Sequence, residues 1–280
     1  MTERPADPVA PPRLIVHLGV QKTGSTSLHH FLQKNAAALS DRLVIRTPEA
    51  GSPMRPLGRA AIAYSLDGER GDEARLAEAV ATICDGLPQD GRTVLISHEN
   101  LAGAMPGNGG ETRLYPALPR ILGVLDRAFA PLVPAYALYS RPMEAWKASV
   151  WAQAVRTDGY GGGYDDFLSE TRDLPGWDDL LDRLESAAPG RIHHFELAAE
   201  PDRMRPGSQL LALAGIGGAE HAALAPLSAP SMQRLNAGAT EFLRRLNGLP
   251  LNPQARAKVA NLVASTQNLF DADHRPEGTL

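Results

Sequence analysis

One strand-like segment constrains the fold more than any other feature. In Thr93–Ser97, three apolar residues stand side by side without the alternation that a half-buried strand shows. A strand of this pattern is buried on both faces, as in a parallel sheet covered by helices. Segments with helical spacing separate it from four further predicted strands: Leu14–Leu18, Leu43–Arg46, Ala135–Tyr139 and Ile192–Glu196. This order of strands and helices predicts an α/β fold with a parallel sheet and right-handed crossovers.

The predicted helices lie between and after these strands. Helical spacing of apolar residues predicts them over residues 25–39, 73–87, 113–129, 142–157 and 177–186, with three helical stretches at the C-terminal end. Residues 48–56 are predicted to form a loop, because prolines flank them. We expect one domain over residues 13–270 with a helical C-terminal extension, a disordered tail at residues 1–12 and a frayed tail at residues 271–280.

Composition excludes several classes of function. The 280-residue chain has a formal net charge of -4 and no run of Lys or Arg, which argues against binding nucleic acid or an anionic membrane. No apolar run reaches the length of a membrane span, and the N-terminus lacks the apolar core of a signal peptide. The single cysteine, Cys84, cannot form an internal disulfide. We therefore expect a soluble protein of the cytoplasm, of unknown oligomeric state.

The segment HLGVQKTGSTS, residues 17–27, follows the first predicted strand. Gly19 and Gly24 permit a tight turn, and a helix is predicted to begin near Ser25, so that backbone N–H groups point at a common centre. Lys22 adds a positive charge, and Thr23 with the three residues Ser25–Ser27 adds hydroxyl groups. These donors predict an anion site. Residues Gly19–Gly24 are called the first loop below. The alternative is an ordinary turn whose helix is capped by Ser or Thr.

The spacing around Lys22 closely resembles the phosphosulfate-binding loop of sulfotransferases, particularly the bacterial and carbohydrate-type members. A second signature of that family, an Arg at a strand end with a Ser eight residues later, is similar to Arg141 and Ser149. The resemblance implies a three-layer α/β sheet of P-loop NTPase-like topology, with helices on both faces. It also implies 3′-phosphoadenosine 5′-phosphosulfate (PAPS) as the co-substrate, bound by Gly19, Gln21, Lys22, Thr23, Gly24, Ser25, Thr26, Ser27, Arg141 and Ser149.

The implied reaction transfers a sulfuryl group to a hydroxyl or amine by in-line displacement, without a metal ion. Lys22 and the loop N–H groups would stabilise the leaving phosphate. The general base is expected at the end of the third strand, with Glu99 preferred to His98, because family members use either residue type there. Each of the two has the alternative role of capping the next turn. The sequence departs from cytosolic sulfotransferases: Leu28 replaces their adenine-stacking Trp, and no Arg-Lys-Gly segment occurs.

Two other functions fit parts of the sequence. A P-loop kinase has the same glycine spacing, but it requires Lys at the position of Ser25 and an Asp at a strand end for Mg²⁺. A non-catalytic nucleotide-binding protein would retain the loop alone. The acceptor stays open among carbohydrates, lipid-linked sugars and small alcohols. Two glycine-rich segments, Gly103–Gly110 and Gly159–Tyr164, are either mobile lids or surface connectors, and nearby aromatic residues form either a sugar-stacking wall or packing anchors: Trp146, Trp151, Tyr160 and Tyr164.

Overall fold

The computed structural model describes residues 13–108, 111–229, 235–250 and 252–270. The predicted tails, residues 1–12 and 271–280, lie outside this range, as do Gly109 and Gly110. Five strands form one parallel sheet, in the order β2-β3-β1-β4-β5. The strands are β1 (Leu14–His17), β2 (Leu43–Arg46), β3 (Thr93–Ser97), β4 (Ala135–Ser140) and β5 (Ile192–Glu196). The predicted α/β class with a parallel sheet is confirmed.

Twelve α-helices occur in the described residues, most of them between the strands. They are α1 (Ser25–Lys34), α2 (Ala36–Leu39), α3 (Met54–Leu66), α4 (Arg70–Cys84), α5 (Leu118–Phe129), α6 (Met143–Gln153), α7 (Tyr164–Glu170), α8 (Trp177–Ala187), α9 (Ser208–Leu213), α10 (Gly218–Ala223), α11 (Ala237–Asn247) and α12 (Pro253–Ser265). A π-helical segment, Ala154–Asp158, continues α6, and short 3₁₀ turns occur at Leu197–Ala199 and Gln267–Phe270. No helix in the described ranges is long and apolar enough to cross a membrane.

The chain divides into two compact units. Unit 1 comprises Met1–Ala104, Tyr115–Arg141 and Gly176–Ser231, and it holds the whole sheet. Unit 2 comprises Met105–Leu114, Pro142–Pro175 and Met232–Leu280. Because three separate stretches of chain build each unit, neither corresponds to a continuous segment of sequence. The expectation of a single domain over residues 13–270 stays a prediction.

Helices cover both faces of the sheet in unit 1. Side chains of successive strand residues point to opposite faces, so Ala137 and Tyr136 face different helices. Ala137 packs in one apolar cluster with Phe31 of α1 and Leu210 of α9. On the other face, the Tyr136 hydroxyl donates to the Asp126 carboxylate of α5 at 2.7 Å. Both faces of the central strands are therefore buried, which is why β3 needs no polar alternation.

Unit 2 is helical and has its own small core. Val155 of the π-helical segment packs with Ala239 and Leu243 of α11 and with Val263 of α12. Apolar residues three or four apart on α11 and α12 provide these contacts, as the helical spacing predicts. The helices predicted at the C-terminal end are thus present, with α11 and α12 packed on the segment that continues α6.

The start of α3 differs from the prediction. Residues 54–56 were expected in a loop because Pro48 and Pro56 bound the segment, but the helix begins at Met54. Proline is tolerated in the first turn of a helix, since the N–H groups there have no helical acceptor. Pro56 therefore lies inside α3 without a lost hydrogen bond. The prediction of a loop over residues 48–56 is wrong at its last three residues.

The boundaries of α5 and α4 also differ from the prediction. Helix α5 begins at Leu118 rather than at residue 113, since Tyr115 precedes Pro116 and has a φ of 44°. A residue before proline is disfavoured in the α-helical region, which prevents an earlier start. Helix α4 ends at Cys84 rather than at residue 87, two residues before Gly86. These shifts leave the order of the elements unchanged.

Candidate functional site

The candidate site lies at the carboxyl end of the sheet in unit 1. Strand β1 is central, with β3 on one side and β4 on the other. The chain leaves β1 for the β2–β3 side and later returns to the β4 side, so the strand order reverses at β1. Ligands of open parallel sheets bind in the crevice at such a switch point. The first loop, His98–Glu99 and Arg141 follow these three strand ends.

The backbone of the first loop is tightly curved. Positive φ angles occur at Gly19 (58°), Lys22 (67°) and Gly24 (95°). A Cβ atom on Gly19 would lie 2.3 Å from the carbonyl oxygen of His98, so the loop packs directly on the end of β3. Lys22 is not glycine, and a left-handed residue with a side chain is uncommon and energetically unfavourable. The surrounding structure therefore imposes an unusual geometry at the one lysine of the loop.

Side chains brace the loop from three directions. The Thr23 hydroxyl donates to the Val20 carbonyl at 2.6 Å. The Gln21 amide donates to the Gly103 carbonyl at 2.9 Å, and its oxygen accepts from the Tyr115 hydroxyl at 2.7 Å. Burial raises the pKa of Tyr115 well above its usual value, so this hydroxyl remains a donor. Gln21 and Thr23, both predicted to bind the co-substrate, thus hold the loop in shape. The contact of Tyr115 with the loop was not predicted from the sequence.

The first turn of α1 has no side-chain cap. Its N-cap is Gly24, and no acidic side chain lies in the turn. The alternative of a turn capped by Ser or Thr is therefore wrong. The Ser25 hydroxyl is buried and makes no hydrogen bond with any residue that the structure describes, while Thr26 and Ser27 are partly exposed. A buried unpaired hydroxyl beside uncapped N–H groups of a helix provides donors for an anion.

Arg141 reaches the first loop from the end of β4. Its Nη1 atom donates to the Lys22 carbonyl at 3.3 Å, across 119 residues of sequence. The Arg141 carbonyl in turn accepts from the Trp177 indole at 2.8 Å, which fixes the backbone at this strand end. Ser149, predicted to act with Arg141, lies buried in α6 of unit 2. Convergence of Arg141 with the loop is observed, and its pairing with Ser149 stays a prediction.

The two candidate bases at the end of β3 have different surroundings. His98 is 3% exposed; its ring lies against Gly58 of α3, and its Nδ1 atom accepts the Asn100 N–H at 3.0 Å. That hydrogen bond is the turn cap considered in the sequence analysis. The Glu99 side chain is 38% exposed and has one oxygen, Oε2, buried 3.3 Å from Nδ1 of His29. Glu99 therefore reaches both the protein interior and solvent.

A buried polar cluster lies between α1 and the ends of β1 and β3. The Ser97 hydroxyl contacts Nδ1 of His17 at 2.7 Å and Nε2 of His29 at 2.8 Å. His17 and Ser97 are register partners, so their side chains share one face of the sheet. Adjacent side chains of a helix diverge, so only one imidazole of the pair His29–His30 can face the sheet. His29 is buried beside Leu28 and Leu32 on the sheet-facing side of α1, and this helical phase was the signal available.

Burial keeps the histidines of this cluster neutral. It lowers the pKa of His17 to about 4. Burial also lowers the pKa of His29 to about 3, and the opposing effect of the Glu99 charge is smaller. The pKa of His98 is lowered as well, again mainly by burial. A neutral imidazole carries one proton and one lone pair, so each ring has one nitrogen that can donate and one that can accept.

The second glycine-rich segment, Gly159–Tyr164, lies in unit 2 and is held by side chains. The Trp151 indole donates to the Gly162 carbonyl at 3.2 Å, and Arg244 donates to the Gly161 carbonyl at 3.0 Å. Trp151 also packs on the Tyr164 ring, while Trp146 is fully buried. Trp146 is therefore a buried residue and Trp151 packs on Tyr164, whereas a sugar-stacking wall of the aromatic residues named from the sequence stays a prediction.

The chain was compared with models of known protein families and with curated proteins. No family model matches it, and no curated protein is significantly similar in sequence. A functional assignment therefore depends on the residues and their geometry.

Proposed function

We propose that this protein is a sulfotransferase that binds PAPS at the first loop and transfers its sulfuryl group to a hydroxyl or amine. The observation that carries the proposal is the contact between Arg141 and the Lys22 carbonyl. The two signatures that resemble sulfotransferases are separate in sequence, and each is weak alone. Their convergence at adjacent strand ends is what a single site for a bisphosphorylated nucleotide requires.

The proposed sheet topology is P-loop NTPase-like. In support, the first loop connects the central strand β1 to α1, and the order β2-β3-β1-β4-β5 puts the loop at the switch point. A phosphate bound there would face the N-terminus of α1, whose first turn no side chain caps. The partial positive charge of a helix N-terminus and its free N–H groups favour an anion.

The donor set of the loop fits a phosphosulfate group. Lys22 brings a full positive charge, and the buried Ser25 hydroxyl has no hydrogen-bond partner among the described residues. Burying a hydroxyl without a partner costs about 1–3 kcal/mol, and a bound oxyanion would remove that cost. Arg141, which donates to the Lys22 carbonyl, is the residue we propose for the 3′-phosphate.

The proposed reaction is an in-line displacement at sulfur. The acceptor oxygen or nitrogen forms a bond to sulfur while the bond from sulfur to the 5′-phosphate oxygen breaks. The acceptor proton moves to a base, and adenosine 3′,5′-bisphosphate (PAP) leaves. Lys22 and the loop N–H groups stabilise the negative charge that develops on the leaving phosphate, so the proposal needs no metal ion.

Glu99 is the proposed general base. A base must reach the acceptor proton, and the Glu99 side chain is partly exposed whereas that of His98 is buried. Moreover, Nδ1 of His98 already accepts the Asn100 N–H, and burial lowers the pKa of this imidazole. Of the two candidates in the sequence analysis, the geometry favours Glu99, and His98 is proposed to shape the turn.

The kinase alternative has weaker support. Ser25 occupies the position where a P-loop has its lysine, and Lys22 has a left-handed backbone three residues earlier. Strand β3 ends in Ser97, whose hydroxyl contacts two imidazoles, so this strand end offers no Asp for Mg²⁺. A non-catalytic nucleotide-binding protein would share the loop, but it would have no need of a partly exposed carboxylate at the next strand end.

The proposal is tested by turnover of ³⁵S-labelled PAPS with pools of carbohydrates, lipid-linked sugars and small alcohols. We expect labelled product from one pool, and a loss of about 10²–10⁴-fold in kcat for Glu99→Gln, the usual contribution of a general base. His98→Ala, if folded by circular dichroism, should retain most of the activity. The same turnover in Glu99→Gln as in the natural protein would reject Glu99 as the base. PAP binding without turnover in any pool would favour the non-catalytic alternative.

A further inference from the structure

Four buried or half-buried side chains form a continuous chain of contacts that ends at Glu99. It runs from His17 through Ser97 and His29, with successive separations of 2.7, 2.8 and 3.3 Å. The last of these joins Nδ1 of His29 to Oε2 of Glu99 and is longer and less well aligned than an ordinary hydrogen bond. Loose geometry of this kind is common at catalytic groups before a substrate binds.

The single hydroxyl proton of Ser97 decides in which direction hydrogen bonds are donated along these four side chains. A hydroxyl has one proton, so Ser97 donates to one imidazole and accepts from the other. If Ser97 donates to His29, then Nε2 of His29 is the acceptor and its proton lies on Nδ1, facing Glu99. If Ser97 donates to His17, then His29 presents a lone pair to the carboxylate. The first direction places a donor against an acceptor at every step.

His17 fits the first direction as well. Its Nδ1 atom then donates to Ser97, and its Nε2 atom carries a lone pair. Nε2 of His17 is buried and has no hydrogen-bond partner in the part of the chain that the structure describes. In the opposite direction this atom would be an N–H donor buried without an acceptor. Unpaired buried acceptors are better tolerated than unpaired buried donors, so the orphan atom also favours donation toward Glu99.

Among the described residues, Glu99 has the largest electrostatic effect on His29. The groups that affect the titration of His29 are Glu99, His17, His98 and His30, and burial outweighs all of them. Burial keeps His29 and His17 neutral, with pKa values of about 3 and 4. Two neutral rings in series orient a carboxylate without introducing a positive charge that would reduce its basicity.

We infer that His29 is a positioning residue for Glu99, and that Ser97 and His17 fix the tautomer in which His29 donates its Nδ1 proton to the carboxylate. The inference assumes the proposed role of Glu99 as the base. His29 holds Oε2 at the protein side, so that the second oxygen of Glu99 is the one presented to the acceptor proton. Which ring nitrogen carries the proton is set by the partner of the other nitrogen, and here that partner is Ser97.

Nuclear magnetic resonance of the full chain with ¹⁵N-labelled histidine tests the tautomer directly and needs neither PAPS nor an acceptor. The two-bond couplings of each ring distinguish protonated Nδ1 from protonated Nε2. We expect His29 and His17 to be neutral at pH 7 with the proton on Nδ1, and Glu99→Gln to perturb His29 more than His17. A proton on Nε2 of His29 would overturn the inference.

Two substitutions of His29 test the roles of its two ring nitrogens separately. His29→Asn places an amide near the position of Nδ1 and retains a donor to Glu99, whereas His29→Gln reaches the position of Nε2 and retains only the Ser97 contact. We expect His29→Gln to lower kcat for PAP release from PAPS by about tenfold or more at unchanged KM for PAPS, a part of the general-base effect. His29→Asn should retain most of the activity.

The results distinguish failure of the inference from failure of the proposed function. Equal kcat values for the Asn and Gln variants, with both folded by circular dichroism, would overturn the positioning role. If a variant does not fold, the tautomer in the natural protein still decides the inference. If the natural protein neither binds PAP nor releases it from PAPS, the proposed function fails, whatever tautomer His29 has.

Discussion

The first loop and the segment Gly159–Tyr164 are both rich in glycine, but they differ in whether side chains pair their backbone polar groups. The first loop leads into α1, a helix that no side chain caps and whose first residue, Ser25, has a buried hydroxyl without a described partner. In the segment Gly159–Tyr164, the carbonyls of Tyr160, Gly161 and Gly162 each accept a side-chain hydrogen bond. Glycine content alone therefore does not distinguish a binding loop from a connector. The pairing of backbone groups by side chains makes the distinction, because the Tyr160 hydroxyl of the second segment is also buried without a partner among the described residues.

Acid should weaken unit 1 through the histidine that precedes the first loop. Burial lowers the pKa of His17 to about 4, below its value of 6.5 in an unfolded chain, so the unfolded state binds more protons between these values. Its contribution to stability is present above about pH 6.5 and is lost as the pH falls toward 4, about 3 kcal/mol in all. The carbonyl contacts of Gly159–Tyr164 do not titrate.

Urea unfolding between pH 7 and 4.5 measures this effect, with hydrogen exchange to assign it to unit 1. His17→Asn retains a donor toward Ser97 but cannot titrate, so its slope should be smaller by up to about 1.4 kcal/mol per pH unit. Equal slopes for the natural protein and the variant would contradict the neutral, buried state of His17.

Removing the charge of Lys22 should affect binding far more than folding. Charge-assisted hydrogen bonds contribute about 1.5–3 kcal/mol, so Lys22→Gln should weaken PAP binding by about 10- to 100-fold in calorimetry. Lys34→Gln is the matched control, because Lys34 lies in the last turn of α1, the helix that follows the first loop, and donates to the Pro226 carbonyl. If both variants bound PAP equally well, the first loop would not be the anion site.

Loosening the second segment should affect folding and leave binding unchanged. The Asn247 amide donates to the Val155 carbonyl at 2.7 Å and to the Tyr160 carbonyl at 3.0 Å. Asn247→Ala should therefore destabilise unit 2 by about 2 kcal/mol, since two buried acceptors lose a donor. PAP affinity measured below the melting temperature should stay within a factor of two. A larger change in affinity would show that Gly159–Tyr164 acts as a lid, the alternative considered from its sequence.

The smallest effect is expected from two hydroxyls, that of Thr23 in the first loop and that of Ser25 at the start of α1. Ser25→Ala removes a buried hydroxyl without a described partner, so the free protein should be as stable as before or up to about 1 kcal/mol more stable. Thr23→Val removes a bond to the Val20 carbonyl and should destabilise the protein by about 1 kcal/mol. Only for Ser25→Ala should the loss of free energy in PAP binding exceed the change in the free energy of unfolding derived from the melting temperature. The reverse pattern would assign Ser25 to packing.

Local patterns in the sequence predicted the sheet well. All five strands match within one residue at each end, and Leu43–Arg46, Thr93–Ser97 and Ile192–Glu196 match at both ends. Short apolar runs in a βα order define such strands, because both faces of each strand must be buried. Helix ends were harder to predict, since Pro56 is compatible with a first helical turn and Pro116 is not compatible with a helical Tyr115.

The long-range part of the site could not be predicted from local patterns. His29 contacts Ser97 only because the phase of α1 and the register of β1 with β3 bring them to one face of the sheet. Tyr115 reaches Gln21 across 94 residues from a turn with no regular spacing. By contrast, Arg141 could be found in the sequence, because its position at a strand end predicted convergence with the first loop.

Thermal unfolding in the presence of two nucleotides tests the central claim most directly. The natural protein is melted with PAP, with ATP and Mg²⁺, and without ligand. We expect PAP at 100 times its Kd to stabilise the protein by about 2.7 kcal/mol, an effect that Lys22→Gln should reduce to about 0.4–1.4 kcal/mol at the same concentration. ATP with Mg²⁺ should shift the melting temperature little. Stabilisation by ATP with Mg²⁺ and none by PAP would contradict the assignment of the first loop as a phosphosulfate site.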